Sequence, residues 1–238
     1  MKLLVVCLFK LVLLYCKKII LVGEFYFGGI SGVAPAEVVI IGGGVVGFNA
    51  VKIAVGMGAR VTVLDLSKQR LSYIDDMFKG YVTTLISNSY NISESVKKAD
   101  LLVGAVLIPG LKAPKLVSSE MVKCMKKGSV IVDVAIDQGG CISTIDRITT
   151  HENPYYEKYG VIHYSVANMP GAVPRTSTFG LTGATLPYIL KIASGNFQDV
   201  LINNHDLLLG LNTYNGKCTN LNVAKSFNMD YTDPKTLL

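Results

Sequence analysis

The strongest constraint on the fold is a glycine-rich turn between two short apolar runs. Residues 37–65 read EVVIIGGGVVGFNAVKIAVGMGARVTVLD. Residues 38–41 form an apolar run typical of a strand that is buried on both faces, and apolar side chains then recur at helical spacing over 46–54. A second apolar segment, 60–65, follows. This order predicts a β-α-β unit whose first strand and helix are joined by the glycines.

The turn contains Gly42, Gly44 and Gly47 in the pattern G-x-G-x-x-G. In such a turn Gly42 permits the tight bend, Gly44 lets the backbone approach a pyrophosphate, and Gly47 lets the helix pack closely on the strand. The free N–H groups and partial positive charge of the helix N-terminus favour phosphate. A glycine motif alone is weak evidence, but the complete β-α-β context predicts dinucleotide binding rather than a purely structural turn.

An acid ends the second strand at the position where a ribose-binding residue is expected. Asp65 lies 18 residues after Gly47, near the offset of about 20 residues at which such an acid occurs. Its carboxylate can accept hydrogen bonds from both ribose hydroxyls and would repel a 2′-phosphate. NAD is therefore favoured over NADP, although the nearby Arg70 leaves NADP open.

Strands and helices continue to alternate after this unit. The patterns predict helices over 67–78 and 118–127, strands over 81–86, 101–107 and 130–135, and a helix that begins with an Asn91–Glu94 capping box. Such alternation indicates a Rossmann-type α/β fold with a doubly wound parallel sheet and right-handed crossovers.

The stretch SVIVDVAIDQGG, residues 129–140, places two acids at the end of a buried strand. Ligands of these sheets bind beyond the carboxyl ends of the strands, so we expect Asp137 at the rim that faces the cofactor. Asp133 is better interpreted as a hydrogen-bonded acid that braces a loop. Cys141 has no histidine partner in the sequence pattern, which favours a buried structural thiol over a nucleophile.

Composition narrows the remaining classes of function. Half of the 238 residues are apolar and 17% are charged, which is ordinary for a globular protein. The net charge of +6 comes from scattered residues without a basic aromatic stripe, so no nucleic-acid partner is expected. Five widely spaced cysteines without a CxxC pair, and three histidines that do not cluster with them, indicate no metal site and a reducing cytoplasm.

The first 26 residues, MKLLVVCLFKLVLLYCKKIILVGEFY, are more apolar than the rest. A signal peptide is one interpretation, but Lys10 interrupts its core and no A-x-A-like site follows. A membrane span requires about 18 apolar residues with few charges, and three lysines break the run. We therefore expect no membrane anchor. A misplaced gene start or a frameshift is the favoured explanation of this segment.

From about Gly28 to its end the chain resembles alanine dehydrogenase, the NAD-dependent enzyme that interconverts L-alanine with pyruvate and ammonia. The specific segments are VAIDQGG at 134–140 and VANMPGAVPRTST at 166–178. The α subunit of proton-pumping transhydrogenase shares the architecture, but the IDQGG segment resembles it less. Phe48 departs from the smaller residue usual in the family.

The resemblance implies a role for Asp137 as a catalytic proton donor or acceptor at the nicotinamide end. It places Asp65 and Arg70 at the adenosine ribose and Ser87 near the adenine. With the glycine turn, the implied cofactor-binding residues are Gly42, Gly44, Val45, Gly47, Asp65, Arg70, Ser87, Val106, Leu107, Val134, Ala135, Ile136, Asp137, Val166, Ala167, Asn168 and Met169.

The resemblance also implies a domain organisation. Residues 1–26 match no part of the family, 27–172 form the NAD-binding domain, and 173–238 are the C-terminal part of the substrate domain, a helical remnant in this chain. Its helices are predicted over 176–194 and 196–209, with Tyr188 and Leu190 in a core, before a short tail over 210–238.

In the family the rest of the substrate domain precedes the cofactor domain and carries the catalytic histidine, lysine and arginine. The chain has no counterpart of that region, so we expect it to be inactive alone, with an exposed apolar face on its C-terminal helices. The family assembles as a hexamer, and a non-catalytic NAD-binding module or a transhydrogenase-like subunit is the alternative.

Overall fold

A computed structural model of the protein describes residues 25–108 and 111–238. The interpretation of residues 1–24 therefore lies outside the described part of the chain. The described residues form two compact units: the first contains Ala113–Ala172 and the residues from 25 to 107, and the second contains Val173–Leu238 with Ile108, Leu111 and Lys112.

The first unit is built on a sheet of seven strands in the described part of the chain. They are β1 (Glu37–Ile41), β2 (Arg60–Asp65), β3 (Val82–Ile86), β4 (Leu101–Gly104), β5 (Val130–Asp133), β6 (Tyr155–Lys158) and β7 (Val161–Tyr164). Their order is β3-β2-β1-β4-β5-β7-β6, and every neighbouring pair is parallel except β6 with β7. The predicted doubly wound α/β sheet is confirmed, whereas β6 and β7 have no counterpart in the sequence prediction.

Four helices connect the strands: α1 (Val45–Gly56), α2 (Lys68–Phe78), α3 (Ser89–Lys98) and α4 (Ser119–Lys123). Local chemistry sets their ends. The Ser67 hydroxyl accepts a hydrogen bond from the Arg70 amide at 3.2 Å, which starts α2, and Lys79 ends it in the left-handed conformation at φ 52°. Ser118 starts α4 in the same way through the Met121 amide at 3.3 Å.

The apolar side chains of the sheet divide between two cores because successive residues of a strand point to opposite faces. Val38 and Ile40 of β1 pack in one cluster with α1 and α2. Val39 and Ile41 pack in the other cluster with α3 and α4. A strand covered on both faces reads as a continuous apolar run, which is why 38–41 is so clear in the sequence.

Several predicted boundaries in this unit are wrong. The strands predicted over 101–107 and 130–135 end earlier, at Gly104 and Asp133, and the helix predicted over 118–127 ends at Lys123. The cap of α3 is Asn88, whose side chain accepts from the Asn91 amide at 2.8 Å. Asn91 instead donates its side-chain amide to the Ile86 carbonyl at 2.8 Å.

The second unit is mainly helical. It contains α5 (Pro174–Ala193), α6 (Phe197–Asn203), α7 (His205–Leu209), a hairpin of β8 (Thr213–Tyr214) and β9 (Lys217–Cys218), and α8 (Leu221–Phe227). Pro174 occupies the first turn of α5, where its missing N–H costs nothing. The helix predicted over 196–209 is divided at Asn204, and the predicted tail over 210–238 contains the hairpin and α8.

Tyr188 and Leu190 were predicted to lie in a core, and this is wrong. They are 40% and 59% exposed, and α5 has no buried residue. Its apolar side chains are spread around the helix, including Phe179 at 71% and Leu181 at 65% exposure. The helix therefore exposes apolar side chains as predicted, but around its circumference and not on one face. Among the described residues, no helix has the length and apolar character needed to cross a membrane.

Candidate dinucleotide-binding site

The segments that follow five neighbouring strands meet along one edge of the sheet in the first unit. Four backbone hydrogen bonds join them: Ser87 N to Asp65 O (2.9 Å), Gly42 N to Leu64 O (2.7 Å), Ala105 N to Ile41 O (2.8 Å) and Val134 N to Gly104 O (2.8 Å). Because β7 lies parallel to β5, residues 165–169 follow at the same edge. This is the carboxyl edge at which such sheets bind ligands.

The glycine turn between β1 and α1 is held by close packing. Gly42 has φ +99°, and a Cβ on it would lie 2.7 Å from the Ala105 carbonyl oxygen. A Cβ on Gly47 would lie 1.7 Å from the Gly42 carbonyl oxygen, which only glycine permits. The packing roles assigned to Gly42 and Gly47 are therefore confirmed. Gly43 is also closely packed, since a Cβ there would lie 2.9 Å from Ile74 Cδ1, the end of a side chain that can shift; the run of three glycines at 42–44 is the sequence signal for this packing.

Gly44 differs from these glycines. It has φ −60°, and apart from its chain neighbours no atom of the described residues lies within 4 Å of the position of an added Cβ. The fold itself therefore does not explain a glycine at this position. Gly44 is the N-cap of α1, with no side-chain capping hydrogen bond and no acid in the first turn. An open backbone surface at a helix N-terminus without an acid in its first turn fits a pyrophosphate.

Asp65 binds the amide of Gly43, and Arg70 binds its carbonyl. One carboxylate oxygen of Asp65 accepts from the Gly43 amide at 2.6 Å, and the other accepts from the Ser67 amide at 2.8 Å. Arg70 donates Nε to the Gly43 carbonyl and lies 3.4 Å from the Gly44 carbonyl through a second guanidinium nitrogen. Each Asp65 oxygen retains acceptor capacity for a ribose hydroxyl, since a carboxylate oxygen has two lone pairs.

Phe48 packs toward α2. Its ring centroid lies 5.5 Å from that of Tyr73 and 5.7 Å from that of Phe78. The Arg70 guanidinium carbon lies 5.3 Å from the Phe48 centroid and 5.1 Å from the Tyr73 centroid. The two rings thus help to hold the arginine by cation–π attraction. No Phe48 atom is among the nearest neighbours of a Cβ placed on the turn glycines.

Asp137 lies in a loop that follows β5. It occupies a 3-10 turn, Ile136–Gln138, and its side chain is exposed. Gly139 and Gly140 then adopt positive φ angles of 87° and 70°. Asp137 is therefore outside the core at the carboxyl edge, as expected for a group that contacts a ligand.

Asp133 is fully buried at the last position of β5. Its carboxylate accepts hydrogen bonds from the amides of Ala135 (3.0 Å), Cys141 (2.7 Å) and Ile142 (3.1 Å). Burial raises the pKa of Asp133, while these three donors and Lys115 act in the opposite direction. Burial and the adjacent Asp133 charge also raise the pKa of the Cys141 thiol, which is buried and therefore a poor nucleophile. Both sequence interpretations are confirmed.

The remaining residues implied by the resemblance differ in accessibility. Val45, Leu107 and Asn168 are exposed, and Ser87, Val106, Val134 and Ala167 are half-buried. In contrast, the side chains of Ala135, Ile136, Val166 and Met169 lie in the two cores. These four side chains are therefore not available to a ligand.

Two features near this edge were not predicted. Asn168 has φ +50°, and its carbonyl lies 3.3 Å from His151 Nε2. Lys115 Nζ donates to the Gly139 carbonyl at 2.6 Å and lies 3.3 Å from the Ile142 carbonyl. Neither pairing has a sequence signal, because each joins residues distant along the chain. The described residues contain no group of three or more potential metal ligands.

The fold and this edge define a Rossmann-type dinucleotide-binding domain. The family model "Alanine dehydrogenase/PNT, C-terminal domain" matches residues 16–221, and the chain belongs to this family. The match begins inside the N-terminal segment, before the first described residue.

Named relatives agree with this assignment. An alanine dehydrogenase of Methanococcus maripaludis is 66% identical over 211 residues, which cover 89% of this chain and 57% of that protein. A solved L-alanine dehydrogenase matches with a TM-score of 0.77 at 48% identity, over 86% of this chain and 56% of that one. A transhydrogenase from Sinorhizobium meliloti matches less closely, with a TM-score of 0.55 and 28% identity over 62% of this chain and 41% of that one.

The chain thus spans about half the length of the curated relatives it matches. The predicted relationship to alanine dehydrogenase is confirmed, and NAD(H) is the cofactor of the family. The glycine turn fits that cofactor because packing in the fold does not require a glycine at position 44, yet the glycine there leaves the backbone open to a ligand.

Proposed function

We propose that the chain is the cofactor-binding and C-terminal portion of an NAD-dependent L-alanine dehydrogenase. The observation that carries this proposal is the high identity to alanine dehydrogenase across nearly nine-tenths of the chain. The reaction is the reversible oxidative deamination of L-alanine to pyruvate and ammonia.

The turn residues Gly42, Gly44, Val45 and Gly47 would bind the pyrophosphate through backbone amides. Asp65 would accept hydrogen bonds from the adenosine ribose, with Arg70 and Ser87 beside it. On the nicotinamide side, the contacts would come from Val106, Leu107, the backbone of 134–137 and residues 166–169.

NAD, when bound, supplies the acceptor for the hydride that leaves the alanine Cα. The resulting iminopyruvate adds water and loses ammonia, and a base must take a proton from the amine or the water. Asp137 is exposed on a fixed loop and carries a carboxylate suited to this transfer. In the family a histidine outside this chain shares the task.

The proposal is tested by calorimetry and by a turnover assay on the 238-residue chain. We expect NADH to bind and alanine with NAD to give no turnover, because the chain spans only about half the relatives' length. In an intact homologue carrying this segment, Asp137→Asn should lower kcat at least about 100-fold, the lower range for general acid–base catalysis, and leave NADH affinity unchanged. Equal losses of affinity and turnover would show that Asp137 is structural.

Two other functions remain distinct alternatives in these assays. A non-catalytic NAD-binding module would bind NADH and show no turnover even when the missing portion of an alanine dehydrogenase is supplied as a fusion. A transhydrogenase α-like subunit would require a membrane partner encoded nearby. The lower identity of the transhydrogenase match makes that function the less supported.

We further propose a cytoplasmic homo-oligomer, with the family hexamer as the reference state. The exposed apolar side chains of α5 support an association surface in the full-length enzyme. Sedimentation of the full-length enzyme should give a hexamer, and a monomer at micromolar concentration would contradict this.

A further inference from the structure

The loop that carries Asp137 is fixed from two sides by charged groups that are not part of the proposed contact set. We propose that Asp133 and Lys115 are positioning residues, which hold the loop 134–142 so that Asp137 is presented at the nicotinamide side. This inference rests on the proposed function.

Asp133 holds the amides of the loop. It accepts from Ala135, where the loop leaves β5, and from Cys141 and Ile142, where the loop returns. One carboxylate therefore ties both ends of the loop together. A Cβ on Gly140 would lie 2.7 Å from the same carboxylate, so this glycine is required for the close approach.

Lys115 holds the carbonyls of the loop. Its ammonium group lies within hydrogen-bond distance of the Gly139 and Ile142 carbonyls. The neighbouring backbone supports it, because the Ala113 amide donates to the Gln138 carbonyl at 3.0 Å and the Leu116 amide donates to the Cys141 carbonyl at 2.8 Å. The described contacts of the loop thus satisfy its amides on one side and its carbonyls on the other.

A fully buried carboxylate is a costly way to fill a core, because burial disfavours its charged form. An apolar residue at the end of β5 would fill the space but would leave three loop amides without this acceptor. The advantage of Asp133 is therefore conformational order in the loop. Order matters where a proton-transferring carboxylate must be held in one place, since catalytic geometry tolerates little displacement.

The chain contains a matched control at the opposite end of the sheet. Asp100 precedes β4, accepts from the Glu37 amide at 2.8 Å and pairs with Lys126 at 2.7 Å. Like the loop brace, it combines an aspartate that accepts from a backbone amide with a lysine, but here the lysine pairs with the aspartate itself, and the group lies at the amino ends of the strands. Asp100→Asn and Lys126→Met therefore report the general cost of removing such a brace, remote from the carboxyl edge.

The experiment compares NADH with ADP-ribose, which lacks only the nicotinamide ring, on the full 238-residue chain. Asp133→Asn and Lys115→Met should each weaken NADH binding by about tenfold, the effect of losing about one hydrogen bond, because the backbone of 134–137 and not the Asp137 carboxylate is proposed to contact the nicotinamide side. ADP-ribose affinity should stay within about twofold, because the glycine turn is unchanged. Lys115 is exposed, so its variant provides the test even where Asp133→Asn fails to fold.

Amide exchange supplies a second measurement. The amides of Ala135, Cys141 and Ile142 should exchange at least about tenfold faster in both variants, and the Asp100 and Lys126 variants should leave them unchanged. Equal weakening of NADH and ADP-ribose, or unchanged binding of both, would overturn the positioning role while leaving the proposed function intact. A wild-type chain that binds neither nucleotide would overturn both.

Discussion

Gly44→Ala is the substitution expected to change ligand affinity without changing the stability of the fold. Within the described part of the chain, the added methyl meets no atom within 4 Å beyond its chain neighbours, and the residue keeps an ordinary φ of −60°. Alanine narrows the unfolded ensemble but is a poorer N-cap than glycine, and the two effects offset. We therefore expect the free energy of unfolding to change by less than about 1 kcal/mol.

The same methyl should obstruct the surface that faces the pyrophosphate. Overpacking of a close contact costs about 1–3 kcal/mol, which corresponds to about a 5- to 150-fold increase in the Kd for NADH. Fluorescence titration with NADH measures this, and urea unfolding measures stability on the same samples.

Two neighbouring glycines provide controls. A Cβ on Gly56, at the end of α1, also has no atom of the described residues within 4 Å outside its own helix backbone and chain neighbours. Gly56→Ala should therefore raise stability by about 0.4–1 kcal/mol without changing NADH affinity. Gly47→Ala would bring a Cβ to 1.7 Å from the Gly42 carbonyl and should lower stability at the upper end of about 1–3 kcal/mol. If Gly44→Ala retains NADH affinity within about twofold, the assignment of the turn to the pyrophosphate is wrong.

Three further predictions concern the same unit. Asp65→Ala should destabilise the chain by about 1–3 kcal/mol, because the Gly43 and Ser67 amides lose their acceptor. The same substitution should raise the ratio of NADPH to NADH affinity, and an unchanged ratio would contradict the assignment of Asp65 to the ribose. Burial lowers the pKa of His163, so its contribution to stability is present above about pH 6.5 and is lost as the pH falls through the lower folded-state pKa; the decline in urea stability below pH 6.5 should be shallower in His163→Asn. Cys141 should resist alkylation in the folded chain and react on unfolding, because it is fully buried. Rapid alkylation of Cys141 in the folded chain would show that Asp133 does not hold this loop closed.

The elements predicted well from the sequence are those in which a local residue pattern is compatible with only one structure. The run 38–41 is continuous because both faces of β1 are covered. Asp133 was interpreted as a brace because an acid inside an apolar run requires donors. The structure shows those donors, and they are backbone amides up to nine residues away.

The parts missed depend on contacts between distant residues. β6 and β7 are four residues each, and β7 contains His163, which is buried because Thr144 and the Val161 carbonyl satisfy its ring nitrogens. Asn88 and Asn91 both suit a helix cap. The choice falls on Asn88 because the Asn91 side chain binds the end of β3. Composition alone does not distinguish these alternatives.

At both ends of the candidate site, an aspartate at the end of a strand holds the backbone of the following loop. Asp65 ends β2 and Asp133 ends β5, and each carboxylate accepts amides from an adjacent loop at the carboxyl edge. Burial separates their roles. Asp65 is partly exposed and retains acceptor capacity toward the site, whereas Asp133 is fully buried and acts on a ligand only through the loop it orders. The hydrogen bonds of each carboxylate fix the backbone of its loop, and such preorganisation reduces the entropy lost on binding, which accounts for acids at positions where apolar residues would otherwise fill the sheet.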